Sequence, residues 1–230
     1  MKIRVVTTWN KQLYRQYAHR FENTYCWDFP LTVYNEDDGM FDLIPECKEF
    51  VERNKHRPHA DFLRDATRFC YKVYAYTHAI LNDNDSDYII GIDADSVFYQ
   101  PMTEKFVVDN LHKPDHMMTY LGRGGQYSEC GFLGFNMQHP YTKMYAATMK
   151  KMYDSDELFK LIEWHDSYIW DHVRMKFEGK YQIKNLNIGD RKKAHVQARS
   201  ILARYYDHTK GEVRKRQGFS AENKEIEVKK

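Results

Sequence analysis

Asp93 and Asp95 stand one residue apart between two apolar runs, Tyr88-Ile89-Ile90-Gly91-Ile92 before them and Val97-Phe98-Tyr99 after. Carboxylates are poor strand formers and costly to bury without partners, so a pair at this place needs a reason. At a period of two they face the same side of an extended chain. Two hard oxygen ligands so placed suit Mg²⁺ or Mn²⁺, ions that keep positions open for phosphate oxygens and so favour a diphosphate partner. The bland reading is a solvated turn after a strand, because Asp-x-Asp is a short pattern. Just upstream, Asp83, Asp85 and Asp87 match the first three ligand positions of an EF-hand loop. That loop needs Gly at its sixth position and Glu at its twelfth, where this chain has Tyr88 and Ala94. Asn82 to Asp87 is therefore expected to be a plain exposed loop.

Other residues carry chemistry with less specificity. His208 alone is no ligand set, and a lone His is more often a core or surface residue. Asp166 opens the helical pattern "DSYIWDHVRMKF" and suits an N-cap as well as a catalytic carboxylate. Arg64 and Arg68 lie four apart on one helix face, which Lys72 continues; they can pair with Asp61 or Asp65, or reach a phosphate. The Gly122–Glu129 stretch "GRGGQYSE" lacks the Gly-Lys-Ser/Thr of a phosphate-binding loop and is expected to be a mobile loop between strands. "HRPH" (His56 to His59) lacks the partners of a zinc site. Between Gly189 and Arg216, nine Lys or Arg face three acids, an excess of six. That stretch can be a solvated basic face, a cradle for diphosphate or a nucleic-acid surface.

These residues must be positioned by the elements around them. Over 230 residues, 42% are hydrophobic and 30% charged, which is ample for one buried core. The net charge of +2 demands neither nucleic acid nor membrane as partner, and no run approaches the length of a membrane span. The four cysteines are scattered without a Cys-x-x-Cys pair, which predicts reduced thiols in the cytoplasm. Strand-like runs at Lys2–Asn10, Phe29–Asp38 and Tyr88–Ile92 alternate with helical patterns at Lys11–Tyr25 and Asp61–Leu81. Two more strand candidates follow at His116–Gly122 and Cys130–Met137, and helices at Tyr141–Tyr153 and Asp166–Phe177. Alternation of this kind predicts an α/β domain with a mainly parallel sheet, in which ligands gather at the carboxyl ends of strands.

In order and spacing, these motifs resemble the nucleotide-sugar-dependent glycosyltransferases of the GT-A fold. "YIIGIDADSVFYQP" is similar to their Asp-x-Asp segment, and "VVTTWN" to the first strand, whose following loop touches the nucleotide. "DATRFCYKVYA" resembles the helix whose Arg reaches the donor, here Arg68; "CGFLGFN" resembles the small-residue strand lining the sugars. "WHDSYIW" is similar to the segment that places an acid beside the transferring sugar, here Asp166. "YYDHTKG" resembles the His-x-x-Gly element of retaining, family-8-like enzymes, where the His, here His208, is a third metal ligand. Ser167 stands where family 8 has Gln, and the usual Lys-Pro-Trp after the His element is absent.

The resemblance, which spans roughly residues 2 to 216, implies a single GT-A-type, Rossmann-like domain over residues 1–218, with a mixed, mainly parallel central sheet flanked by helices and a polar tail at 219–230. It implies sugar transfer, with retention, from a nucleoside-diphosphate sugar, a UDP-sugar above all, to a hydroxyl of a glycan or of modified DNA. Asp93, Asp95 and His208 would hold Mn²⁺, with Mg²⁺ as the alternative. Asp166 or Glu129 would be the catalytic carboxylate. Thr7, Thr8, Asn10, Asn35 and Glu36 would contact nucleobase and ribose, and Arg68, Lys72, Asp93, Lys210 and Gly211 the rest of the donor. Two other classes remain open at this point: a nucleic-acid-binding protein using the basic C-terminal third, and a catalytically silent nucleotide-binding module.

Overall fold

A computed structural model describes residues 1–57, 61–123, 125–177, 183–185 and 195–220. The first strand, β1 (Ile3–Trp9), is buried on both faces, as an apolar strand inside a covered sheet must be. Three helical turns follow, α1 (Lys11–Leu13), a π-helical Tyr14–Ala18 and α2 (His19–Thr24), and lead to β2 (Leu31–Asn35). Next come α3 (Met40–Leu43), α4 (Pro45–Asn54) and α5 (Ala66–Asn82), then β3 (Tyr88–Ile92) and β4 (Ser96–Phe98). After α6 (Glu104–Phe106) and a π-helical Val107–Leu111, β5 (Met118–Arg123) and β6 (Gln126–Asn136) form a hairpin. The chain continues through α7 (Thr142–Asp154), α8 (Asp166–Met175), β7 (Ile183–Asn185), β8 (Tyr206–His208) and α9 (Glu212–Gln217).

Six strands form one sheet in the order β2-β1-β3-β6-β5-β7. The pairs β1–β2, β1–β3 and β5–β7 are parallel, while β6 is antiparallel to both of its neighbours. The sheet is thus mixed and mainly parallel, as the alternating pattern predicts. Alternate residues of a strand feed opposite layers. Val6 joins the core against α4, α5, α7 and α8, whereas Ile3 and Val5 join a second core with Phe21, Trp27, Phe98 and Tyr206. Asp65 caps α5 by accepting from the Arg68 amide. Gly91 lets that helix close on the sheet, since a Cβ there would lie 2.4 Å from the Tyr76 ring.

Local expectations differ from the structure at three places, and one helix lies where none was expected. The helix read over Asp61–Leu81 is broken: Asp61 caps a 3₁₀ turn over Phe62–Arg64, and α5 starts afresh after Asp65. The Gly122–Glu129 stretch is strand on both sides of a tight turn at Gly125, whose φ is +65°; cross-strand pairing overrides the weak strand propensity of glycine. The segment Pro45–Asn54, which carries no caps in sequence beyond a Pro at its first turn, is a helix that buries Cys47 and Phe50. The Asn82–Asp87 stretch is less exposed than expected: Asn82 ends α5, and buried Asp83 accepts from the amides of Asp85 and Ser86 and pairs with Arg4 at 3.0 Å. His59 of the "HRPH" run lies outside the described residues, as do Arg191, Lys192 and Lys193 and the tail from residue 221.

Candidate active site

β3 ends at Ile92 in the middle of the sheet, and the chain turns through Asp93-Ala94-Asp95 into β4. That short strand leaves the main sheet and pairs antiparallel with β8, setting Ser96 opposite His208. Thr209 reinforces the pairing by donating its amide and hydroxyl to the Asp95 carbonyl at 2.9 and 2.7 Å. The two-stranded ladder therefore brings His208 onto the Asp-x-Asp turn. His208 Nε2 lies 3.1 Å from Asp95 Oδ1 and 3.5 Å from Asp93 Oδ2. One ligand atom from each of the three residues lies within 4.8 Å of the others. Gly131 on β6 makes room for the imidazole, because a Cβ there would sit 2.4 Å from Nδ1.

Charged side chains surround this triad in pairs. Lys72 on α5 reaches across to Asp93 at 2.5 Å and Asp166 at 2.7 Å, and donates to the Cys130 carbonyl at 2.8 Å. Lys215 on α9 pairs with Asp95 at 3.1 Å and lies over the Tyr17 ring. Glu129 lies behind His208, its carboxylate 3.6 Å from Nδ1, and pairs with Lys210 at 2.8 Å and Arg123 at 3.7 Å.

The electrostatics follow from this packing. Burial pushes the Asp93 carboxyl up, against Lys72 and His208, with Asp95 and Asp166 adding to the rise. Burial acts on Asp95 too, but His208 and Lys215 outweigh it and hold the carboxyl well below its ordinary value. Asp166 is likewise held down by Lys72 despite burial, and Glu129 by Lys210, His208 and Arg123. Desolvation would lower the His208 imidazole, but Asp95, Glu129 and Asp93 raise it. The donor set of two carboxylates and an imidazole fits a divalent ion. Nε2 points at both carboxylates, while Nδ1 lies 3.6 Å from the Glu129 carboxylate, beyond hydrogen-bond distance.

A cavity of about 1010 Å³ runs over these residues, at the upper end of ligand pockets. The sheet order divides it. On the β1–β2 side of Asp93 the lining is polar: Thr7, Thr8, Asn10 and Glu36. Thr8 and Asn10 donate to the two Glu36 oxygens at 3.0 and 2.9 Å. Burial nevertheless pushes the Glu36 carboxyl up to about 7, with those hydrogen bonds pulling the other way. Ionising Glu36 therefore costs folded-state stability. The cost is absent below pH ~4.5, grows as pH rises to about 7 and is complete above it. Glu36→Gln is expected to stabilise the protein by on the order of 2 kcal/mol at pH 8 and by nothing at pH 4.5, measured by urea unfolding at both.

Thirteen of the fourteen site residues read from the sequence lie in or on this cavity. Asn35 does not: it is exposed, and its side chain turns back to accept from the Asp37 amide at 3.1 Å. Arg68 lines the cavity with an exposed side chain, and Gly211, at φ +86°, opens α9 beside it. The cap expected at Asp166 lies one residue earlier, where the His165 side chain accepts from the Tyr168 amide; Asp166 is the first helical residue. Lys215 and Tyr17 are site residues that the sequence reading passed over. Lys215 sits in a basic run, and only the β4–β8 pairing, which returns the chain to Asp95, distinguishes it from its neighbours.

No protein-family model matches the chain, and no curated protein matches it in sequence. Solved structures do. A glycosyltransferase involved in the glycosylation of the major capsid of PBCV-1 superposes with a TM-score of 0.54 at 9% identity, over 94% of this chain and 100% of that one. The fold is that of the GT-A glycosyltransferases. Two further likenesses are weaker. Mouse xyloside xylosyltransferase 1 gives a TM-score of 0.49 at 8% identity, covering 80% of this chain and 85% of its own. Glycosyltransferase GlyE of Streptococcus pneumoniae TIGR4 gives 0.48 at 14%, covering 80% of this chain, which spans 45% of GlyE. On the GT-A sheet of this chain, Asp93 occupies the carboxyl end of a central strand, where open α/β sheets place their ligands. Among the described residues no helix is long and apolar enough to cross a membrane.

Proposed function

We propose that this chain is a metal-dependent glycosyltransferase that moves a sugar from a nucleoside-diphosphate sugar, a UDP-sugar, to an acceptor hydroxyl with retention of configuration. The observation that carries the reading is the convergence of Asp93, Asp95 and His208 on the floor of one large cavity, at the carboxyl end of β3. Asp93, Asp95 and His208 would hold Mn²⁺, which when bound offsets the charge growing on the departing nucleoside diphosphate. Lys210, Lys215 and Arg68 line the same cavity and add positive charge for that leaving group. Thr8, Asn10 and Glu36 form the polar end suited to ribose and base. Asp166, kept ionised by Lys72, is the carboxylate placed beside the transferring sugar. Retention rests on the likeness of the His208 element to retaining enzymes. The four cysteines are free, in keeping with a cytoplasmic protein, and residues 1–218 act as one domain.

The test is a thermal-shift series with UDP-, GDP- and ADP-sugars, each with and without Mn²⁺. A UDP-sugar is expected to raise Tm by several degrees only when Mn²⁺ is present. No metal-dependent stabilisation by any donor overturns the reading.

A further inference from the structure

The cavity has a second end, on the β6 side of Asp93, and its chemistry differs from the first. Four aromatic side chains from four separate elements meet there: Phe62 of the 3₁₀ turn, Phe69 of α5, Tyr127 of β6 and His165, the cap of α8. Buried His165 is the hub. Its ring lies 4.8 Å from Tyr127, 6.2 Å from Phe62 and 6.3 Å from Phe69. The Trp164 amide donates to the Leu63 carbonyl at 2.7 Å and ties the 3₁₀ turn to the start of α8, fixing the group. Phe62 nonetheless stays 60% exposed on the cavity rim. Its exposed face adds to the rings that line this end of the cavity.

Carboxylates predominate among the polar groups around the rings, and Arg68, whose guanidinium lies 5.7 Å over the Phe69 ring, is a cation among them. Glu163 accepts from the Tyr127 hydroxyl and lies 2.9 Å from His165 Nε2. Asp166 also lines the cavity. Arg123, the cation of this hairpin, is taken up by the Tyr127 carbonyl at 2.7 Å, the Ser128 carbonyl at 3.3 Å and Glu129. A phosphodiester would be repelled by the carboxylates Glu163 and Asp166, whereas a neutral polyol would not. The C–H face of a pyranose carries slight positive charge and stacks on the negative face of an aromatic ring. Its hydroxyls then find the carboxylates as acceptors.

We propose that Phe62, Phe69 and Tyr127, set around His165, form a platform that takes an uncharged sugar ring of the acceptor and presents a hydroxyl towards Asp166. This rests on the transferase reading and adds to it the class of acceptor: a neutral glycan, bound by stacking. Phe62, being exposed, can be truncated without harm to the fold, and Tyr127→Ala supplies a second variant.

Saturation-transfer NMR tests the platform directly, using the whole chain with UDP and Mn²⁺ and methyl hexosides and pentosides at millimolar concentration. At least one glycoside is expected to receive saturation at its ring protons. Its affinity should fall roughly tenfold in Phe62→Ala and in Tyr127→Ala, while the UDP affinity stays within twofold. Three results overturn the platform with the donor site intact: UDP binds but no glycoside does; an octathymidylate binds in place of the glycosides; or both variants bind the glycoside as the wild type does. If UDP with Mn²⁺ fails to bind the wild type, the transferase reading falls, and the platform with it.

Discussion

Asp95→Asn is expected to lower sugar transfer by about 10³-fold and to abolish stabilisation by Mn²⁺. Asn keeps the shape of the side chain and removes its charge, leaving His208 and Lys215 facing a neutral amide where each now meets a carboxylate oxygen at 3.1 Å. The metal would lose one of three protein ligands and one of two anionic ones. Asp83→Asn is the control, in the other acidic run: Asp83 is spent on the amides of its own loop and on Arg4, so Mn²⁺ binding should not change. The measurements are Mn²⁺ titration calorimetry and initial rates with the donor identified by thermal shift. Asp95 is also held strongly ionised by its neighbours, so the variant will be less stable, and Tm without metal separates that loss from the loss of binding. Mn²⁺ dependence that survives Asp95→Asn overturns the ligand assignment.

How far the site could be read from sequence depends on how local each contact is. Asp93 and Asp95 were legible because two carboxylates interrupt an apolar path at a strand end, a conflict visible within fifteen residues. Thr8, Asn10 and Glu36 came through the family resemblance, and they close β1 and β2, parallel neighbours that end on the same side. His208 had no such local signal. β8 is three residues long, too short for any periodicity, and its place follows from pairing with β4 across more than a hundred residues. Lys215 fails for the same reason. Within "EVRKRQ" it looks like any exposed base, and only the tertiary return of the chain turns it onto Asp95. Glu129 was read as a catalytic candidate, and the structure places it behind His208 with its charge taken up by Lys210 and Arg123.

Lys72→Ala is expected to destabilise the protein by about 3–5 kcal/mol at neutral pH, because it leaves two carboxylates without the cation between them. The pH dependence identifies the cause. In the wild type the Asp166 carboxyl is lowered by Lys72, so its contribution is present above the ordinary carboxylate value and is lost as pH falls through the folded one. Without Lys72, burial, which raises the carboxyl, is opposed only by His165 and the Ser167 amide, so the charge on Asp166 becomes costlier to keep. The difference between variant and wild type should therefore shrink as pH falls from 7 towards 4. Adding Asp166→Asn to Lys72→Ala should recover a large part of the loss at pH 7, since the unpaired buried charge is gone. Urea unfolding of the two variants and the wild type across this range checks it. A penalty for Lys72→Ala that is flat with pH, or unrelieved by Asp166→Asn, would mean that Lys72 acts through packing against Tyr76 and the Cys130 carbonyl, and not as the cation that keeps Asp166 charged at the site.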